Sequence, residues 1–268
     1  MNRNGWLAAG AALLLSCSAP VFAQDDQSLS RAAKNPFTTV TNLQFLYDAN
    51  FGTGPDNRTQ HVLTFQPVIP FSVNADWSII TRTVAPVIAQ PGAAPGEGWT
   101  NGPGDTQFAA FLSPAQTDKL VWGVGPVFQI PTASNQALGQ GKWGAGPMAG
   151  VQWQGEQWTV GGLLNNIWSF AGSSGRAAVN QMELNPQINY NFISNPDRYL
   201  SFSPTITANW KATGSERWTV PLTLGIGQLF KFGNQPVNLQ ATGYYNVIKP
   251  ADAANWTLEL QVQFLFPK

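Results

Sequence analysis

Residues Asn180–Phe192 read NQMELNPQINYNF, and this stretch decides the fold. Polar and apolar side chains alternate along it: Gln181 and Glu183 point one way, Met182 and Leu184 the other. A period of two is typical of an extended strand with one polar and one apolar face. The stretch has 13 residues, whereas soluble strands usually have about 5–6. At about 3.3 Å per residue and a tilt of roughly 40°, it rises about 30 Å, the thickness of a bilayer.

The first 23 residues have the features of an export signal. Arg3 gives a positive start, Leu7 to Leu15 form a short apolar run, and Val21-Phe22-Ala23 provide a small-residue cleavage site. We therefore expect residues 1–23 to be a signal peptide that is removed. The sequence Leu14-Leu15-Ser16-Cys17 leaves lipoprotein cleavage open as an alternative. Cys17 is the only cysteine, so we expect a mature chain without disulfides.

The composition indicates a membrane barrel rather than a soluble domain. Charged residues make up 10% of the chain, against about 25% in soluble domains. Aromatic residues reach 12%, and the mature part has no continuous apolar run long enough for a membrane helix. After removal of the signal the net charge is −1, and no basic patch is present, so nucleic acid is not an expected partner. These features fit a barrel, in which alternation hides the hydrophobicity.

After the signal, residues 24–36 read QDDQSLSRAAKNP and differ from the rest. Ser28 can cap a short helix through Ala33 that ends at Asn35-Pro36. The segment is then either a loose tail or a short plug or periplasmic brace. Residues 37–268 show a repeating pattern that predicts twelve strands. Their predicted bounds are 38–51, 59–71, 77–89, 104–113, 119–131, 142–153, 157–170, 180–193, 198–211, 217–231, 236–248 and 255–266.

Short turns and long loops alternate along these strands. Tight turns are expected near Ser72–Asp76, Pro114–Asp118, Gln154–Gln157, Ser194–Asp197 and Gly233–Gln235, and the longest loop is expected at Gln90–Pro103. This alternation is typical of outer-membrane barrels with both termini in the periplasm. A spacing of about 40 residues also occurs in propellers, but each period here holds two long strands and no propeller signature. We therefore predict an all-β chain that forms a single closed antiparallel transmembrane β-barrel, preceded by a short N-terminal helical or irregular segment.

The parity of the apolar residues places tryptophans at two levels, as expected for interfacial girdles. Those near the loop ends are Trp143, Trp168, Trp210, Trp218 and Trp256, and those near the turn ends are Trp77, Trp122, Trp153 and Trp158. Because open sheet edges are costly in lipid, the first and last strands should pair. Prolines inside the strands, among them Pro204 and Pro221, predict bulges or irregular registers.

Several short motifs resemble a known family. They are Val68-Ile69-Pro70-Phe71, Asp76-Trp77, Trp122-Gly123-Val124-Gly125-Pro126, Gly141-Lys142-Trp143-Gly144-Ala145-Gly146-Pro147, Trp168-Ser169-Phe170-Ala171-Gly172, Ser203-Pro204-Thr205-Ile206-Thr207-Ala208-Asn209-Trp210, Arg217-Trp218-Thr219-Val220-Pro221 and Gln263-Phe264-Leu265-Phe266-Pro267-Lys268. Over nearly all of residues 36–268 the chain resembles the bacterial outer-membrane family labelled MetA-pathway of phenol degradation, whose members are often called transporters or neuromedin U. The resemblance implies a β-barrel linked to transport and no catalytic or binding residues. Outer-membrane chains often end on an aromatic residue, whereas here Pro267-Lys268 follow Phe266.

The candidate transport path consists of polar residues on the inward parity. They are Gln44, Gln66, Arg82, Gln107, Glu183, Gln187, Asn189, Gln240, Glu259 and Gln261. Rings of such side chains set pore selectivity. The alternative is a packed interior in which the amides only satisfy one another. Arg82, Glu183 and Glu259 carry the charges of this set, and confined charges usually pair.

No residue pattern predicts catalysis, a cofactor or a metal site. The mature part has one histidine, His61, and no cysteine, whereas metal sites need clustered ligands. A lipid-face hydrolase could use His61 as its base, but no serine lies nearby on that strand, and an interfacial histidine is the simpler interpretation. Gly-x-Gly pairs at 123/125, 144/146 and 225/227 lack a phosphate-loop context. They predict either sheet curvature or a groove that receives a substrate or residues 24–36.

The expected function is passage of small solutes through the outer membrane, with hydrophobic or aromatic solutes among the candidates. A barrel of twelve strands lies between small filled barrels and open porins, so its lumen should be narrow or plugged. The alternatives are a structural or assembly barrel that does not conduct and a membrane-embedded lipid hydrolase. We do not expect an enzyme. Expected partners are outer-membrane lipid, the outer-membrane assembly machinery and an unknown small solute.

Overall fold

The computed structural model of the chain describes residues 26–115 and 119–267. The predicted signal peptide, residues 1–23, lies outside these ranges. One helix, α1, spans Asp26–Ala33 and ends just before Lys34, Asn35 and Pro36, in agreement with the predicted short helix. Among the described residues, no helix is long and apolar enough to cross a membrane.

Fourteen strand segments follow the helix. They are β1 Thr41–Thr53, β2 Arg58–Ser72, β3 Trp77–Pro91, β4 Trp99–Pro103, β5 Thr106–Pro114, β6 Leu120–Ile130, β7 Lys142–Gln154, β8 Trp158–Gly172, β9 Asn180–Phe192, β10 Asn195–Phe202, β11 Ile206–Asn209, β12 Trp218–Phe232, β13 Gln235–Ile248 and β14 Trp256–Phe266.

These segments form one closed antiparallel barrel with twelve strand positions in its wall. The segments β4 and β5 share a position because both pair with β3, and β10 and β11 share a position between β9 and β12. The ring closes as predicted, through eleven residue pairs that run from Thr41↔Phe266 to Phe51↔Trp256. Closure pairs the edge amides that would otherwise be unsatisfied in lipid.

Alternation along β12 shows which face meets the lipid. The apolar side chains of Leu222, Leu224 and Ile226 are 60%, 67% and 51% exposed, whereas the intervening Thr223 is 4% exposed. A soluble protein would bury such a row, so it forms part of the outer belt. Aromatic pairs lie at both ends of the wall, with Trp210 and Trp218 5.5 Å apart between ring centroids at the loop end.

The predicted strand bounds were wrong at two positions of the wall. The predicted loop Gln90–Pro103 contains β4, which extends the hairpin with β3 beyond the expected end. The predicted continuous strand 198–211 is broken between Phe202 and Ile206. Pro204 lies in this gap. It interrupts the strand because it has no backbone N–H to donate to the ladder of hydrogen bonds. Asn195 of the predicted turn Ser194–Asp197 already begins β10.

Side chains bridge the gap between β10 and β11. The Nδ2 of Asn185 on β9 donates to the carbonyl oxygens of Ser203 at 3.4 Å and Pro204 at 3.0 Å, and to Thr205 Oγ1 at 3.2 Å. From the other side, the Ser203 backbone N–H donates to Thr223 Oγ1 at 3.0 Å. The wall therefore stays joined across the irregular stretch.

Candidate functional site: the barrel interior

The interior of the barrel has an apolar half and a polar half. Inward-facing side chains of β2 to β8 pack with Phe37 into an apolar cluster, which consists of Phe37, Val68, Ile80, Ala109, Phe111, Val121, Val127, Met148, Leu163 and Ile167. The inward faces of β9 to β14, β1 and part of β2 carry mainly amides, hydroxyls and a few charges. Any open path must therefore follow the polar half.

A cavity of about 210 Å³ lies along this polar half. It is lined by nine of the ten residues of the candidate path, namely Gln44, Gln66, Arg82, Glu183, Gln187, Asn189, Gln240, Glu259 and Gln261. The fold thus brings together, around one cavity, residues that the sequence pattern predicted in both halves of the chain. Their role in transport stays a prediction.

The tenth residue, Gln107, lies in a second cavity of about 20 Å³. Arg82 and Glu183 also line this cavity, together with the apolar side chains of Val84, Val127 and Met148. The two charged residues therefore stand between the larger polar cavity and the small one.

A chain of amides fixes the surroundings of Arg82. Asn42 Oδ1 accepts from Gln44 Nε2 at 2.9 Å, and Gln44 Oε1 accepts from Gln66 Nε2 at 2.9 Å. The oxygen of Gln66 is thereby turned toward Arg82, whose Nη2 donates to it at 3.0 Å. The Nε of Arg82 is buried and has no hydrogen-bond partner within residues 26–115 and 119–267.

The last residue of α1 and the three residues after it close the turn end of the cavity. Ala33, Lys34, Asn35 and Pro36 line it there. The Lys34 backbone oxygen accepts from Gln152 Nε2 on β7 at 2.8 Å. The helix itself is held by Leu29, which packs with Val40, Leu229 and Leu265.

The Lys34 ammonium lies in a pocket of the barrel wall. It donates to Asn191 Oδ1 on β9 at 3.0 Å and to Ser30 Oγ at 3.1 Å, and it lies 4.3 Å from the ring centroid of Tyr199 on β10. Burial, and secondarily the charge of Arg31, lower the pKa of Lys34 from 10.5 to about 7, while Asp197 acts in the opposite direction. A group with this pKa titrates in a physiological range.

Phe37 shows what two of the interior glycines do. A Cβ on Gly123 would come within 2.6 Å of the Phe37 ring, and one on Gly150 within 2.7 Å. The ring also packs edge-on against Phe111, with 5.4 Å between centroids. These two glycines make room for the ring of Phe37, the residue that follows the 24–36 segment. Gly125 and Gly146 instead face backbone oxygens, of Ala110 and Asn166 respectively.

Several lining residues were missed from the sequence. Asn185 and Tyr244 share the inward parity of their predicted neighbours Glu183 and Gln240, so extending the parity rule would have found them. Asp48 is not part of the cavity lining, although it shares the parity of Gln44 and lies directly opposite Glu259 across β1 and β14. Lys34 carries no comparable signal, because its burial depends on how the N-terminal segment folds back.

His61 lies on the outer surface near the loop end. Its Nδ1 is 2.8 Å from the Tyr47 hydroxyl, and its ring stacks on Trp99 with 6.2 Å between centroids. This is an interfacial aromatic group rather than a serine–histidine pair. Within the described residues, no group of three or more His, Cys, Asp or Glu side chains could hold a metal ion.

Known structures share this architecture. The COG4313 outer membrane channel from Pseudomonas putida F1 is 18% identical, with a TM-score of 0.64 over 85% of this chain and 96% of that chain. The NanC porin is 9% identical, with a TM-score of 0.52 over 85% of this chain and 100% of that chain. Outer membrane phospholipase A from Escherichia coli reaches a TM-score of 0.47 at 12% identity, over 87% of this chain and 93% of that chain. That score is too low to support an argument.

No protein-family model and no curated protein matches the sequence. At the identities above, the likeness to solved structures shows the fold. A closed barrel with an exposed apolar belt and interfacial aromatic residues is an outer-membrane architecture. The chain is therefore a bacterial outer-membrane barrel surrounded by lipid.

Proposed function

We propose that this barrel is a channel through which small solutes cross the outer membrane passively, along the polar half of its interior. The observation that carries the proposal is the cavity of about 210 Å³, which is bounded on one side by the apolar cluster. Its lining side chains come from β1, β2, β3, β8, β9, β10, β13 and β14. Small barrels filled by side chains leave no such space. The likeness in fold to an outer membrane channel and a porin supports the proposal.

The second part of the proposal concerns residues 24–36, which we assign as the segment that closes the channel at the turn end. The support is the position of Ala33 to Pro36 at the floor of the cavity and the bonds of Lys34 to the wall. Short turns face the periplasm in outer-membrane barrels, so the closure would lie on the periplasmic side.

Single-channel conductance in a planar bilayer tests both parts. The mature chain and a chain lacking residues 24–36 are compared, with strand content by circular dichroism as the folding control. We expect a small conductance from the mature chain and a severalfold larger one from the truncated chain. If both folded proteins remain silent, the non-conducting structural or assembly barrel is the better account.

Hydrophobic or aromatic solutes are a second candidate cargo, in line with the resemblance to the MetA-pathway of phenol degradation family. The observation in favour is that Leu46, Val68 and Leu163 interrupt the polar lining of the cavity. We expect phenol to reduce the single-channel current of the truncated chain, and glycerol to leave it unchanged at equal concentration. Equal effects of the two solutes would remove this candidate. The assembly machinery of the outer membrane remains an expected partner.

A further inference from the structure

Two charged side chains mark the boundary between the two interior cavities. Arg82 on β3 and Glu183 on β9 are the residues common to both linings. In the closed ring, β5, β6, β7 and β8 lie between these two strands on one side, and the remaining positions lie between them on the other. The two side chains therefore approach each other from well-separated parts of the wall.

Arg82 has a hydrogen-bond donor for which the described residues provide no acceptor. Gln66 occupies its Nη2, and the amide chain through Gln44 holds Gln66 in place. Its Nε stays buried without a partner among the described residues. A buried, unpaired donor on a charged group is costly, which indicates that an acceptor from outside the chain completes the site.

The Glu183 side supplies the complementary group. Its carboxylate is within electrostatic reach of Arg82 and borders both cavities. Neighbouring inward amides on β9 are bonded among themselves, as Gln187 Nε2 donates to Asn185 Oδ1 at 2.8 Å. Opposite charges across a confined, low-dielectric space produce a strong local field.

We propose that Arg82 and Glu183 form a binding site for small dipolar solutes, in which Arg82 takes the anionic end and Glu183 the cationic end. The inference rests on the proposed function, because it assigns a solute class to that passage. A solute with a single charge is attracted by one of these two side chains and repelled by the other. A solute with both charges satisfies both, and its carboxylate can accept from the free Nε.

Binding to the full mature chain in detergent tests the site without requiring transport. The probes are β-alanine, propionate and propylammonium, three solutes of similar length that differ in their end charges. Saturation-transfer NMR gives their dissociation constants. We expect β-alanine to bind about tenfold more tightly than either single ion, the size of effect typical of one charged hydrogen bond. Equal affinities overturn the proposal, and so does a preference for propylammonium, which Glu259 on the cavity wall would produce without Arg82.

Substitutions of Arg82 and Glu183 test whether these two residues cause the preference for β-alanine. Arg82→Gln and Glu183→Gln should each abolish it, and the exchanged pair Arg82→Glu with Glu183→Arg should restore it in part. Arg198→Gln, at an exposed position of β10, is the matched control and should change nothing. A preference that survives Arg82→Gln overturns the proposal.

A chain that binds β-alanine but never conducts refutes the proposed function alone, whereas conduction without a β-alanine preference refutes this inference alone.

Discussion

Lys34 is the residue at which the N-terminal segment meets the barrel wall. Its three contacts come from different elements: Ser30 of α1, Asn191 of β9 and the Tyr199 ring of β10. Burial lowers its pKa to about 7, so docking of the segment favours the neutral amine over the charged one. Docking should therefore release a proton between about pH 7 and pH 10.5, where the free lysine is charged and the docked lysine is not.

Docking of the N-terminal segment should therefore depend on pH. The docked pKa is about 7 and the undocked value is 10.5. Below pH 7 both states are protonated, and docking is weakest and independent of pH. Between these two values docking should strengthen by up to about tenfold per pH unit. We expect the open fraction in single-channel records to fall as the pH rises from 7 to 10. Lys34→Met should remove the dependence, and a wild-type open fraction that rises with pH contradicts it.

Gly123 offers a second test at the scale of one residue. A Cβ there would meet the Phe37 ring at 2.6 Å, and its next contact is Leu112 O at 3.4 Å. Gly123→Ala should therefore loosen the segment and raise the open fraction without opening the barrel wall. Gly175→Ala is the matched control, because nothing lies within 4 Å of its added Cβ. Equal open fractions for the two variants would show that Phe37 does not hold the segment.

Arg82 also governs the charge of the passage. It is a cation on the cavity wall, whereas Glu183 and Glu259 on the same wall are acidic. Neutralising it with Arg82→Gln should shift ion selectivity toward cations, measured as the reversal potential across a salt gradient. Arg198→Gln again serves as the control. An unchanged reversal potential in Arg82→Gln counts against a path past this residue.

At the scale of elements, the break between β10 and β11 is the irregular part of the wall. The backbone there is bonded through Asn185 rather than through a full ladder. Buried groups without partners cost about 1–3 kcal/mol, so this one amide stabilises the junction.

We predict that Asn185→Ala lowers the free energy of unfolding by about 1–3 kcal/mol, measured by denaturant titration in detergent. Gln187→Ala is the matched control, since its amide donates to Asn185 and does not reach the gap. If Gln187→Ala is as destabilising as Asn185→Ala, the gap is not what Asn185 stabilises.

For the whole molecule, alternation was enough to predict the closed barrel, because lipid on one side and amides on the other impose a period of two. The rule held best where the inner face is polar, as in β9. It was weaker in β3, where Ile79 faces out and Ile80 faces the apolar cluster. The sequence of β4 gave no signal among its glycine and proline neighbours, since its pairing extends an already formed hairpin.

The polar half of the site could be predicted and its boundaries could not. Parity alone led to nine residues of the cavity lining. The apolar half, the second cavity and the burial of Lys34 depend on which distant strands face one another. That arrangement follows from the closure of the ring and from the position of residues 29–37, neither of which is encoded in a local pattern.

A reversible disulfide between α1 and β9 can lock the N-terminal segment in the position where it closes the polar passage. The one cysteine of the sequence, Cys17, lies within the predicted signal peptide, and Ser30 Oγ lies 3.3 Å from Asn191 Nδ2. Single-channel conductance of the Ser30→Cys, Asn191→Cys variant is recorded before and after reduction. The same measurement on Arg198→Cys, Gln228→Cys, a facing pair within the wall, controls for the reagent. We expect a low conductance that rises on reduction in the first variant only. If reduction leaves the conductance of that variant unchanged, the N-terminal segment does not close the passage.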